Sequence, residues 1–505
     1  PRHNKVVACY VASWALYRPE NGKFGINNLR PELCTHLIYA FAGLNHTNWT
    51  IKSLDPFKDI ENGTGDYRRF TQIREDYPHL KISIAIGGWN EGSQNYSELA
   101  SSPVRRNRFV NSVVEFLREY RFNGFDLDWE FPGSRGGMPV HFMQYIDLYQ
   151  ELKEAFIKPG YVLTAAISAN LGMIDAGYNI PEISKYLDHI HVMAYDYHGT
   201  WDLKVLPNSP MTSHDKLSVE DTIGHLLNKG APANKLVLGL PMYGRTFILT
   251  TKPSSPQENP MNKTCLPDGF KGPYTGQVGF MGYNEICEVI VKDLHLWTTG
   301  WDMESSTPYA VKDDHVIVYD NPISMKTKIE YATKMNLAGV MVWSIDTDDF
   351  HGKCANLMES LDPTDSTFPL MRSINMVLAN TTNRKPDDSN DNKSSSDRFL
   401  STVVFAGHYY NEDGTPYDPY HNLHLPHDPP LYPTYHRVPR TGFSCYGLEN
   451  QLWADLSTQC QAYHLCRDGR LISSHLCVNG TLFNEQFQVC DQFYNVRCGS
   501  PYGDL

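Results

Sequence analysis

From Val6 to Asp349, short apolar runs rich in β-branched residues alternate with longer mixed segments of helical spacing. The runs are Val6–Tyr10, His36–Leu44, Lys81–Trp89, Gly124–Glu130, Leu163–Ala169, His189–Asp196, Leu236–Phe247 and Gly339–Asp346. Nearly continuous hydrophobic strands separated by helices predict a parallel sheet covered on both faces. Eight of them predict an α/β fold closed into a (β/α)8 TIM barrel, with an open doubly wound sheet as the alternative. The unusual residues favour closure. Aromatic or polar side chains sit at the C-terminal end of most runs, at Tyr10, Phe41, Trp89, Glu130, Tyr195, Asp196, Tyr243, Arg245 and Trp343, and that is the face on which barrels build their sites.

Two stretches break the alternation. Between the seventh and eighth runs, residues 248–320 are far too long for a βα connection and contain strand-like pieces at Tyr309–Val311 and Val316–Tyr319. This predicts a small α+β insertion between strand 7 and helix 7, walling one side of a cleft. After Met376-Val377-Leu378 the chain turns into a Ser/Asn/Asp-rich tract, too polar to bury a core, and then into a Pro-, Tyr- and His-rich stretch without periodicity. We therefore expect a barrel over 1–379, a disordered linker over 380–440 whose tyrosines either contact a partner or serve only as spacer, and a small disulfide-rich β domain over 441–505.

Composition narrows the class. A length of 505 residues implies more than one domain, and the net charge of −13 argues against nucleic acid, whose phosphates call for Lys and Arg. No apolar run is long enough to span a membrane, and Pro1 is not followed by a signal-peptide pattern, which implies a leader already removed. Six of the eleven cysteines crowd between Cys445 and Cys498, and N-x-S/T sequons stand at Asn45, Asn48, Asn62, Asn95, Asn262, Asn380, Asn392 and Asn479. Together they point to a secreted, extracellular glycoprotein. A domain as small as the last one has little core, so three disulfides would do much of the stabilising, and zinc competes poorly because no C-x-x-C pair occurs there. Six cysteines allow fifteen pairings, which the sequence alone does not sort.

The chemistry is concentrated in Gly124-Phe125-Asp126-Leu127-Asp128-Trp129-Glu130. Residues two apart on a strand share a face, so Asp126, Asp128 and Glu130 lie together, and the apolar flanks imply that this face is buried. Like charges so placed are expected to raise one another's pKa, which suits groups that carry protons. With Phe131-Pro132-Gly133 after it, the stretch resembles the signature of family 18 glycoside hydrolases, the chitinases. The resemblance spans residues 4 to about 377 and is also carried by Tyr10 and Trp14, Gly87-Gly88-Trp89-Asn90, Met193-Ala194-Tyr195-Asp196, Met242-Tyr243-Gly244-Arg245 and Trp343-Ser344-Ile345-Asp346.

That resemblance implies hydrolysis of β-1,4 bonds in chitin and chito-oligosaccharides by a substrate-assisted mechanism, without cofactor or metal, by a monomer. It implies Glu130 as acid, Asp128 as stabiliser of the acetamido group, Asp126 exchanging a proton with Asp128, and Tyr195 as donor to the acetamido carbonyl. Trp343 is expected as a subsite floor, with Met193, Asp196, Tyr243, Arg245 and Glu285 around it and Tyr10, Trp14, Phe41, Trp89 and Asn90 continuing the track. The tail resembles a peritrophin-A chitin-binding module with Tyr463 and Phe483 as exposed sugar platforms and pairings Cys445–Cys466, Cys460–Cys498 and Cys477–Cys490. Cys9–Cys34 and Cys287–Cys354 match the barrel disulfides of the family, leaving Cys265 as a free thiol or an intermolecular link. Two departures stand out: Asn123 replaces the usual Asp, and its amide is expected to donate to Asp126, while Asp313-Asp314-His315-Val316 lacks the usual Trp. Competing readings are a chitin-binding lectin without hydrolysis and an endo-β-N-acetylglucosaminidase.

Overall fold

The structure is a computed structural model. It describes residues 3–60, 63–136, 144–255, 257–356 and 365–382, and in the C-terminal part 433, 435, 437–446, 448, 451–477, 481–484, 489–492 and 498. The chain divides into two compact units, Pro1–Asp391 and Asn392–Leu505.

In the first unit the strands Val6–Ala12, His36–Asn45, Lys81–Gly87, Gly124–Asp128, Val162–Ser168, His189–Met193, Leu236–Pro241 and Gly339–Trp343 pair in parallel, each with the next. The first pairs with the eighth, Val6 opposite Gly339, and with the second, Ala8 opposite His36, so the barrel is closed. A short strand, Thr50–Ser53, adds antiparallel to the second as a hairpin. Side chains on the outer face, such as Val7, Leu37, Ile82, Phe125 and Leu163, are removed from water by the surrounding helices and form one continuous core. The helix Pro103–Tyr120 shows the usual construction: Ser102 caps it, accepting from Arg105 N, Pro103 sits at its first position, and Phe109, Val113, Phe116 and Leu117 recur at helical spacing on its buried side.

The seventh predicted run is two strands rather than one. Leu236–Pro241 belongs to the barrel and Tyr243–Ile248 to the insertion, with the break at Pro241-Met242. Met242 N donates to Trp343 O and its own carbonyl accepts from Tyr283 N, so this residue ties the barrel to the insertion instead of continuing a ladder. The insertion therefore begins five residues earlier than its expected start at 248. It is an antiparallel sheet of Phe280–Gly282, Tyr243–Ile248, His315–Val318, Thr307–Lys312 and Thr298–Asp302, with the helix Tyr283–Lys292. Asp313-Asp314 is the turn between two of these strands, and His315 packs on Phe270.

The helix Pro369–Thr382 runs past the expected barrel boundary at 379. Most of the expected linker, with Asn392, and the sequons Asn62 and Asn479 lie outside the described residues. In the second unit Leu452–Ala454, Ala462–Arg467 and Arg470–Leu476 form an antiparallel sheet, and Thr481–Asn484 pairs with Val489–Gln492. Cys9–Cys34, Cys287–Cys354, Cys445–Cys466, Cys460–Cys498 and Cys477–Cys490 are bonded, as the family pattern implies. Cys265 is a free, buried thiol whose pKa burial pushes up.

Candidate active site

The fourth strand delivers Asp126 and Asp128 into the barrel and ends before Glu130, which stands half-buried at the C-terminal mouth. Close backbone approach holds this end. Gly87 and Gly88 both have positive φ, Gly88 N donates to the Asp128 carbonyl at 2.8 Å, and a Cβ on Gly87 would lie 2.1 Å from that oxygen. Trp129 points the other way, its indole N–H donating to Ser93 Oγ at 2.6 Å.

All three carboxyl groups hold protons more tightly than ordinary carboxylates, and the first cause is burial rather than mutual repulsion. Asp126 is raised to about 6 by burial, against the pull of hydrogen bonds from Thr164 and Tyr10. Thr164 Oγ1 donates to its Oδ1 at 2.5 Å and the Tyr10 hydroxyl to its Oδ2 at 2.7 Å. Asp128 is raised well above its usual value by burial, then by Glu130 and less by Asp126; its Oδ1 has no hydrogen-bond partner among the described residues. Glu130 is raised to about 7 by burial, with the Arg135 cation opposing and Asp196 adding to the rise. Glu130 weighs more on Asp128 than Asp126 does.

Aromatic rings line the mouth. Trp14, Phe41 and Trp343 form a stack, Trp14 to Phe41 at 6.1 Å and Phe41 to Trp343 at 5.7 Å between centroids. Trp89 is 61% exposed, and the Arg135 guanidinium lies over one of its faces at 3.6 Å. Asn90 is exposed beside it. Arg135 also donates to the carbonyl oxygens of Glu130 and Trp89, joining the acidic loop to the Trp89 loop. Across the mouth Asp196 accepts from the Tyr243 hydroxyl at 2.7 Å and from Arg245 at 2.5 Å, while Arg245 is stacked among Tyr243, Phe280 and Trp201. Tyr195 packs edge-on against Tyr243, its hydroxyl donating to the Met341 sulfur, and Met193 packs into the inner barrel cluster with Tyr10 and Trp343.

Four placements differ from expectation. Tyr10 is buried beneath the mouth, hydrogen-bonded to Asp126, rather than on a substrate track. Glu285 is fully buried and lines no groove: its carboxylate accepts from the backbone N–H groups of Tyr274, Thr275 and Gly282, capping the helix that begins at Tyr283. Asn123 does not reach Asp126; its Oδ1 accepts from Ile82 N at 2.6 Å, because positions three apart on a strand face opposite ways. Phe483 is 1% exposed and stacked on Tyr463 at 4.4 Å, and Tyr463 in turn stacks on the exposed His475, so small-domain core claims Phe483. The sequence reading missed Thr164, His191, Arg135, Trp201 and Phe280. For Thr164 and His191 a signal existed, namely a polar residue at an inward position of an otherwise apolar strand.

A closed barrel whose mouth carries buried carboxyl groups of raised proton affinity between aromatic walls defines a glycoside hydrolase of the (β/α)8 class. The chain belongs to family 18: the profile of Glycosyl hydrolases family 18 matches residues 6–348, and that of the Chitin binding Peritrophin-A domain matches 445–498. Probable chitinase 2 of Drosophila melanogaster is 45% identical over 396 residues, 74% of this chain and 81% of its own length. The Ostrinia furnacalis Group IV chitinase, solved in complex with allosamidin, has a TM-score of 0.70 at 40% identity over 75% of this chain and 100% of its own. Human YKL-39, described as a pseudo-chitinase with retained chitooligosaccharide binding, has a TM-score of 0.65 at 32% identity, over 74% of this chain and 99% of its own.

Proposed function

We propose that this chain is an extracellular endochitinase that cleaves β-1,4 bonds between N-acetylglucosamine units with retention, using the substrate's 2-acetamido group as nucleophile. The acetamido oxygen attacks C1 as the C1–O bond breaks, and the Glu130 carboxyl passes its proton to the leaving oxygen. Asp128 holds the acetamido N–H and steadies the oxazolinium cation, and the Tyr195 hydroxyl donates to the acetamido oxygen. Water then opens the oxazolinium at C1, and Glu130 recovers its proton from that water. The observation that carries the reading is the proton affinity of Glu130, raised to about 7 in a family 18 barrel, so that the acid is loaded at neutral pH and below.

Trp343, Phe41 and Trp14 form one arm of the sugar track, on which pyranose faces stack, and Trp89 with Asn90 forms another. Met193, Asp196, Tyr243 and Arg245 hold the polar groups of the sugars nearest the cleaved bond. The chain works as a monomer in which the second unit, through its peritrophin-A module, keeps insoluble polymer near the barrel. The test is product analysis on soluble N-acetylglucosamine oligomers beside colloidal chitin. Internal cleavage of both supports the reading, and tight binding without products replaces it with a lectin of the YKL-39 kind. Release of glycans from glycoproteins, with chitin untouched, replaces it with an endo-β-N-acetylglucosaminidase.

A further inference from the structure

The loop that follows Glu130 carries a cation folded back over an aromatic ring. The guanidinium carbon of Arg135 lies 3.6 Å from the centre of the Trp89 ring, over one of its faces. Its Nη1 donates to the Glu130 carbonyl oxygen at 3.0 Å and its Nη2 to the Trp89 carbonyl oxygen at 2.9 Å, both of them neutral acceptors. Among the described residues no carboxylate is within ion-pair reach of Arg135, whereas Arg245 across the mouth is paired with Asp196. The backbone is bent to put the side chain there. Arg135 has φ of +48°, in the left-handed region, between Gly133 and Gly136 at +75° and +89°. A glycine or asparagine takes that conformation more easily, so the chain bears it here with a long cationic side chain laid on Trp89.

With one face covered, the other face of this 61% exposed ring is the surface open to a sugar. The same guanidinium ties the Trp89 loop to the Glu130 loop, so that face adjoins the acid, on the side of the bond that carries the leaving group. A cation on one face of a ring draws on the π electrons that would attract a cation to the other, and its own charge acts through the ring. The field of Arg135 reaches into the site, since it lowers the proton affinity of Glu130. We propose that Arg135 is a specificity-determining residue: it sets the Trp89 subsite to accept N-acetylglucosamine and to reject the cationic, deacetylated sugar glucosamine. The inference rests on the proposed chitinase chemistry, which requires an acetamido group only in the sugar on the other side of the cleaved bond. The reaction makes no such demand on the leaving sugar, so selection there has to come from the groove. It also runs against the molecule as a whole, whose net charge of −13 draws a cationic polymer toward the protein. A sugar in van der Waals contact with the open face puts its amine roughly 7 Å from the guanidinium, where two unit charges in water repel enough for about a threefold preference.

The experiment digests partially deacetylated chitosan with full-length wild type, Arg135→Gln and Arg135→Lys at mildly acidic pH, where the glucosamine amine is protonated. Mass spectrometry then identifies the first two sugars from each new non-reducing end. These ends come from the leaving side, and their composition within one digest reports the subsite rather than the overall rate. Wild type should leave glucosamine depleted at one of the two positions. Arg135→Gln should raise its share there by about threefold, and Arg135→Lys, which keeps the charge, should stay with wild type. A slower Arg135→Gln with unchanged ends shows a mere loop fastening and overturns the proposal, as does a lysine variant that matches glutamine. Binding supplies a readout without hydrolysis. The fully deacetylated pentamer has no acetamido nucleophile and is not cut by this chemistry; titrated by tryptophan fluorescence, its Kd should be about threefold lower in Arg135→Gln than in wild type. An equal or higher Kd overturns the proposal. If wild type leaves acetylated oligomers uncut while that difference in Kd persists, the functional reading fails and the specificity of the groove stands.

Discussion

At the scale of the residue, the site is governed by removal from water. Glu130 holds its proton up to about 7 in the folded chain against an ordinary 4.5, so the unfolded chain releases this proton first as pH rises. The contribution of this carboxyl to stability is therefore greatest below its unfolded pKa and falls as pH rises through 7. Glu130→Gln should cut turnover by at least about 100-fold, having no proton to give, yet melt above wild type near pH 8, with the gap closing toward acid pH. Paired activity assays and melting curves check both halves, and a variant that is inactive and also less stable at alkaline pH speaks against a buried acid. Arg135 is the cation that holds Glu130 down, so Arg135→Gln should move the alkaline limb of kcat/KM upward; a limb that moves down contradicts the electrostatics. Asn123, by contrast, braces the backbone of Ile82 and lies off the acidic face. An aspartate there can accept the same N–H, and Asn123→Asp is expected to leave both limbs of the pH profile in place.

At the scale of the element, strands and insertion are joined by polar fastenings that look like chemistry in the sequence. Glu285 follows the strand Phe280–Gly282, which pairs with Tyr243–Arg245, and it caps a helix. Glu285→Ala strips the acceptor from several buried N–H groups and should cost about 1 to 2 kcal/mol of stability. Calorimetry would register this as a lowered Tm, while KM for short oligomers changes little; a large rise in KM at unchanged Tm would return Glu285 to the sugar track. A buried pair, Lys328 with Asp320, fastens the end of the insertion to the following helix, and Lys328 also donates to Ser209, whose hydroxyl holds the Ala194 carbonyl next to Tyr195. The insertion is thus tied by side chains to the residue proposed to grip the acetamido group.

At the scale of the whole molecule, two compact units share one chain, and the proposal gives them separate tasks. A chain ending at Asp391 should cleave soluble oligomers as well as the full chain does but work less well on colloidal chitin, because the tail raises local substrate concentration without touching the chemistry. Equal losses on both substrates would mean that the tail supports the barrel itself. Within the tail, the ring stack of Phe483, Tyr463 and His475 presents the histidine rather than the phenylalanine to solvent.

The barrel was legible because its evidence is local. Strand and helix periods and the polar strand ends all repeat along the chain, and Asp126, Asp128 and Glu130 share a face by strand geometry alone. The disulfides followed from family spacing. The tertiary structure decided whatever depends on a partner distant in sequence. Tyr10 and Asp126 meet across 116 positions, and Tyr10 and His191 across 181, and no period in the sequence encodes either contact. It also decided which of two faces each polar residue joins, placing Asn123 on a backbone and Glu285 on a helix end. Burial likewise depends on what packs above a residue, so the dominant cause of the raised carboxyl pKa values became visible only with the barrel closed around them.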